Sequence, residues 1–169
     1  MTIDSAAAVE RAQSRVLGER NFRWVWAAII GTFALDAVGY LLTTEPDHPK
    51  LWTDVPWFIG FIVVAGAIGL GLVHWGSRPA PDHNRPARVG LVALVPFVLS
   101  LVVFWAALPV ITGAALATLG TAGVKRAREE AGLGWLARAL QVVGIVAIAA
   151  MLVMFLFYTI TEFDPSLPS

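Results

Sequence analysis

Apolar and polar residues in this chain are separated into long blocks rather than interleaved. From residue 22 onward, apolar runs follow one another, and charged residues collect in the short stretches between them. A helix resting on a soluble core shows an apolar stripe opposite a polar face; runs that are apolar all round belong in an apolar medium. Cutting at the charged and proline-bearing stretches gives five predicted helices, at about 22–43, 56–75, 89–106, 109–124 and 135–159. The fold class read from this pattern is all-α, an integral membrane helical bundle over 22–159.

The stretch 89–124 decides the number of crossings. Its 36 residues carry no charge. A single helix of that length extends about 54 Å at 1.5 Å per residue, against a hydrocarbon core of roughly 30 Å, and tilt does not absorb the excess. Two features divide it. Trp105 lies mid-stretch, and tryptophan concentrates at membrane interfaces. Pro109 suits the first turn of a new helix. Five spans are therefore expected, with four as the alternative.

Charge then sets the orientation. In the five-span scheme eleven of the twelve Lys and Arg residues fall on one side, with Lys50 alone on the other; four spans divide them seven to five. Short loops rich in Lys and Arg stay on the cytoplasmic side, so the N-terminus is expected in the cytoplasm and the C-terminus outside. In the same scheme all seven tryptophans and both tyrosines fall near an interface. Residues 1–21 read as a polar helix lying on the inner leaflet, where Val9, Ala12 and Val16 form a thin apolar stripe. Some twenty mostly polar residues ahead of the first apolar run are no signal peptide, so the first span is expected to be an uncleaved anchor. Residues 160–169 read as an external acidic tail.

Composition narrows the chemistry. Of 169 residues, 57% are hydrophobic and 14% charged, whereas a soluble domain carries about 25% charged residues. Net charge is zero, which gives no nucleic-acid signature. The absence of Cys removes disulfides, thiolate metal ligands and thiol nucleophiles. Ten Arg against two Lys, with abundant Ala, Val and Gly, read as a GC-rich bacterial composition. The expected location is the inner (plasma) membrane of a bacterium.

Few residues are candidates for a role. Asp36 is the one charge well inside a span, at a cost of roughly 2.5–3.5 kcal/mol on insertion scales. Thr32, Asp36 and Tyr40 share one helix face and make a polar stripe, read as a proton or cation site or as a contact to a partner subunit. Against this stands a carboxylate that simply snorkels to the outer surface. Small residues at four-residue spacing, Ala65 with Gly69, Ala67 with Gly71 and Gly113 with Ala117, are candidate helix-packing positions, with the second and fourth spans expected to meet through them. His74 at the inner end of the second span is an interfacial histidine before it is a haem ligand, since no second axial residue stands at its depth. Asp47–His48 and Asp82–His83 are isolated pairs without chelating spacing. Ser100, Thr112, Thr118 and Thr121 lack a nearby base and are expected to bond to backbone or across helices.

No catalytic residue, metal ligand or cofactor site is expected, and the chain reads as no enzyme. It reads instead as a non-enzymatic structural or accessory subunit, or assembly factor, of a larger membrane complex. The partners expected are the lipid bilayer and other membrane subunits or copies of itself, with no nucleic acid. A small oligomeric transporter or channel built on the Asp36 stripe is the alternative.

Overall fold

The computed structural model describes residues 22–38, 51–78, 82, 84–103, 107–129 and 132–163. The proposed interfacial helix at 1–21, Tyr40, Trp105 and the last six residues lie outside the described residues. The described chain is all-helical, with five helices: α1 (residues 22–38), α2 (Leu51–Ser77), α3 (Arg85–Val102), α4 (Leu108–Glu129) and α5 (Gly134–Phe163). Helices α2 to α5 are each long and apolar enough to cross a membrane, which makes the chain a multi-pass membrane protein.

Residues 89–124 form two helices, not one. Helix α3 ends at Val102, where the Val103 amide donates to the Ser100 carbonyl. Ala107 then takes a left-handed conformation at φ 49°, and the chain re-enters a helix with Pro109 in the first turn of α4. Reversal at this point sets α3 and α4 antiparallel, so that Ser100 lies beside Thr112 and Gly90 beside Leu119.

Helix ends differ from the sequence reading at the loops. Helix α2 starts five residues before Pro56, which therefore sits inside the helix rather than opening it. Helix α3 starts at Arg85, not Val89, because Pro86 occupies its first turn, where a missing amide proton costs no hydrogen bond. Pro96 lies within α3. Helix α5 runs on to Phe163, so part of the stretch read as a tail is helical.

Neighbouring helices alternate in direction. Phe22 of α1 stacks near His74 of α2, with ring centroids 5.9 Å apart, while Ile29 packs on Gly66 further along. Gly76 of α2 meets Val89 of α3, and Gly123 of α4 meets Ala87 of α3. Helices α2 and α4 run parallel: Ile62 and Ala65 cluster with Leu108 and Ile111 at one end, and Gly76 meets Leu119 toward the other. As a result all eight described Lys and Arg residues, from Arg23 to Arg138, lie at the same end of the molecule.

The core is built around α4. Ile111, Leu116 and Leu119 of α4 are fully buried, joined by Val25, Val73, Phe97 and Leu140 from the other helices. The distribution of burial is inverted relative to a water-soluble protein. Helix α4 is the least apolar of the four long helices, and 72% of an 18-residue apolar stretch of it is buried; α5 is the most apolar, and 11% of the corresponding stretch is buried. Ile30, Val63, Leu99, Val153 and Phe157 all point outward. In water so large an exposed apolar surface drives association; in lipid it faces its own solvent, and the interior is where small and hydroxylated residues go.

The tightest contact joins α4 to α5. A Cβ placed on Gly120 lies 2.5 Å from the Gln141 nitrogen and 2.6 Å from the Ala137 oxygen, both backbone atoms. One placed on Gly144 meets the Gly113 carbonyl and the Ala117 nitrogen. Gly113, Ala117 and Gly120 thus form one strip of α4, and Ala137, Gln141 and Gly144 form the facing strip of α5. Gly120 and Gly144, which lack side chains, let the two helix backbones approach this closely.

Candidate functional site

Helix α1 presents one face to the bundle, carried by Val25, Ile29 and Thr32 at helical spacing. Val25 and Thr32 are wholly buried, while Trp24, Trp26, Ile30 and Phe33 point outward. Asp36 stands one turn beyond Thr32 on the same face, toward the end opposite the cations. It is half-buried.

Each presents a shielded oxygen that finds no partner among the described residues. The Thr32 hydroxyl oxygen and Asp36 Oδ2 are both shielded from solvent and make no hydrogen bond, so they do not bond each other. A threonine hydroxyl in a helix ordinarily donates to a carbonyl one turn earlier, and here it does not. An unsatisfied buried polar group costs about 1–3 kcal/mol. The pair is thus an unfinished polar site, a donor without an acceptor beside a carboxylate oxygen without a donor. Chemically it is suited to take a proton, a cation, a water or a donor from another chain. Tyr40, the third member of the stripe, lies outside the described residues.

The small-residue positions are divided among faces. A Cβ on Gly69 makes ordinary contacts at 3.6–3.7 Å with Ile111 and Ala115 of α4 and Val25 of α1, and Ala65 is buried on the same side of α2. Ala67 and Gly71 lie on the exposed side, with nothing within 4 Å of a Cβ on Gly71. Gly113 and Ala117 face α5 rather than α2. Helices α2 and α4 therefore meet through Ala65 and Gly69 against Ile111 and Ala115, a small face against a larger one. The α4–α5 strip, anchored by Gly120 and Gly144, escapes a reading confined to four-residue spacing, because Gly113, Ala117 and Gly120 follow the alternating four-and-three spacing of one helix face.

His74 lies in the last turn of α2, and its Nε2 accepts from Arg78 Nε and Nη2 at 3.2 and 3.0 Å. With that lone pair engaged, Nε2 is not presented to a metal. Among the described residues no three His, Asp or Glu side chains gather to hold an ion.

The hydroxyls of Ser100 and Thr112 approach to 2.8 Å in the buried interface between α3 and α4. Ser100 Oγ also lies 2.6 Å from the Phe97 carbonyl, and Thr112 Oγ1 lies 3.2 Å from that of Leu108. Two hydroxyl protons serve three contacts, so one hydroxyl donates to its own helix and the other donates across. Both atoms are satisfied in either arrangement, and the pair clasps α3 to α4.

A second link was not foreseen from sequence. Asn84 Oδ1 accepts the Leu133 amide at 2.8 Å, joining the α2–α3 connection to the α4–α5 connection. Asp82 holds Asn84 in place. Its Oδ1 accepts the Asn84 amide at 3.0 Å, and its Oδ2 pairs with Arg88 at 3.1 Å.

No protein-family model matches the chain, and no curated protein or solved structure matches it.

Proposed function

We propose that the protein is a non-enzymatic accessory subunit or assembly factor of a larger complex in the inner membrane of a bacterium, crossing it five times with its N-terminus in the cytoplasm. The observation that carries this reading is the filled interior. Helix α4 occupies the centre of the described bundle, in backbone contact with α5 and sealed against α3 by the Ser100–Thr112 clasp. A conduction path through one chain has no room along that axis. What the molecule offers instead is its sides: apolar surfaces on α2, α3 and α5, and on α1 the unfinished polar pair of Thr32 and Asp36. A donor from a neighbouring helix completes that pair. The orientation is supported by the eight described cations at one end, since that end is retained in the cytoplasm.

Purification in mild detergent, followed by identification of co-purifying membrane proteins, tests the proposal. A reproducible partner is expected, and Asp36→Asn is expected to release it while the amount of folded protein stays the same. A chain that remains alone under conditions preserving other membrane complexes overturns the reading. The alternative, an oligomeric transporter or channel, draws on the unpartnered Asp36 Oδ2. It predicts proton or cation flux in proteoliposomes that Asp36→Asn abolishes.

A further inference from the structure

At the cationic end of the molecule, an open groove of about 690 Å³ runs between the last turns of α4 and the first turns of α5. Its volume falls in the range of small-molecule sites, roughly 300–1,000 Å³. Its walls are graded. On α4 the lining runs from Arg128 at the helix end to Ala127 and then Val124 nearer the bilayer centre. On α5 it runs from Gly134, Trp135 and Arg138 to Ala139, Val142 and Val143 in the same direction. Both walls therefore change from cationic to apolar along the membrane normal.

The two arginines have unused bonding capacity. Neither Arg128 nor Arg138 makes a hydrogen bond or ion pair with a described residue, unlike Arg78 and Arg88 at the same end. Arg128 stands in the last turn of α4, a position that the helix dipole alone accounts for. Arg138 stands in the first turns of α5, where the same dipole opposes a cation, so that explanation does not extend to it. The N-terminal turn of α5 adds its own positive potential, and Leu133 before it carries no capping side chain.

We infer that this groove binds one anionic glycerophospholipid. The phosphodiester sits between Arg128 and Arg138 at the N-terminal turn of α5, Trp135 lies at headgroup level, and an acyl chain follows Ala139, Val142 and Val143 toward the bilayer centre. Guanidinium groups recognise phosphate oxygens in pairs, and tryptophan favours the headgroup region. The match is of two gradients, charge at the surface and hydrocarbon below, which a free phosphate or an acidic peptide satisfies in one half only. The inference requires that the helices span a bilayer; it requires neither the five-span orientation nor the accessory role.

The full-length protein, purified in detergent and titrated with phosphatidylglycerol or phosphatidylcholine, is followed by native mass spectrometry. One phosphatidylglycerol is expected to be retained at activation energies that strip phosphatidylcholine. The double variant Arg128→Gln/Arg138→Gln is expected to lower that retention at least tenfold, and Arg88→Gln, which removes one cation from the same end, is expected to leave it within twofold. Ala139→Trp fills the apolar half without altering charge and is expected to lower retention comparably, which keeps the test decisive if the double variant fails to fold. Equal retention of both lipids overturns the inference. So does an effect of Arg88→Gln equal to that of the double variant, which reduces the matter to net charge, and so does competition by inorganic phosphate at lipid-equivalent concentration, which makes the site one for the free anion.

Discussion

Glycine carries different consequences at different places in this chain. At Gly120 a methyl group meets the backbone of α5 at 2.5–2.7 Å, where no rotamer change relieves it. Gly120→Ala is expected to lower stability by about 3 kcal/mol, the upper end for overpacking, measured as thermal unfolding in detergent. At Gly71 the same methyl meets nothing, and Gly71→Ala is expected to add about 0.5–1 kcal/mol through helix propensity. The sequence presents both simply as glycines in apolar runs. The difference arises from which side of each helix faces a neighbour, and an all-apolar helix in lipid gives no polar contrast to reveal it. Ala107 shows the converse: a side chain held at φ 49°, where an L-residue is strained. Ala107→Gly is expected to raise stability by about 1 kcal/mol; a loss of that size means that the methyl group's packing outweighs its strain. Of the polar stripe, Asp36 was legible from its charge alone. That the Thr32 hydroxyl beside it lacks an acceptor was not, because helical threonines usually satisfy themselves.

Pairs of helices show where sequence reasoning reaches and where it stops. The break between α3 and α4 follows from length: an uncharged run of 36 residues exceeds the bilayer and Pro109 marks the restart. A reversal centred near residue 106 places Ser100 opposite Thr112, so the clasp was within reach once the break was set. Because each hydroxyl retains a carbonyl of its own helix when the other is lost, Ser100→Ala and Thr112→Val are each expected to cost less than about 1 kcal/mol, with a coupling near 0.6 kcal/mol in a double-mutant cycle. The Asn84–Leu133 link spans 49 residues and two proline- or glycine-bearing connections, and no periodicity announces it. Asn84→Ala is expected to leave the helices intact and to speed amide hydrogen exchange at Leu133 by roughly five- to twelvefold, a freed hydrogen bond being worth about 1–1.5 kcal/mol. Unchanged exchange there makes the link dispensable. The Arg128–Arg138 groove was hidden for a similar reason. Its two cations stand on different helices, and a basic loop between spans already has a sufficient explanation in orientation.

At the scale of the described bundle, burial and charge point the same way: apolar sides, the eight described cations at one end, and the least apolar long helix in the middle. Reporters fused after Arg85 and after Lys125 are expected to be cytoplasmic, and one fused at Ser169 external; an external signal after Lys125 overturns the five-span orientation. The central place of α4 also bears on how the protein is made. A nascent span enters the bilayer on its own apolarity, and α4 has the least of the four. Its glycine strip is covered only by α5, which leaves the ribosome after it. Until α5 arrives, α4 holds its place through α2 and α3, with a bare strip of backbone turned toward lipid or toward whatever insertion machinery shelters it. Synthesis order thus makes α5 the lock of the described bundle: a ribosome that stalls in the α4–α5 connection leaves a chain with four of the five described helices and an unsealed centre, a natural substrate for membrane quality control.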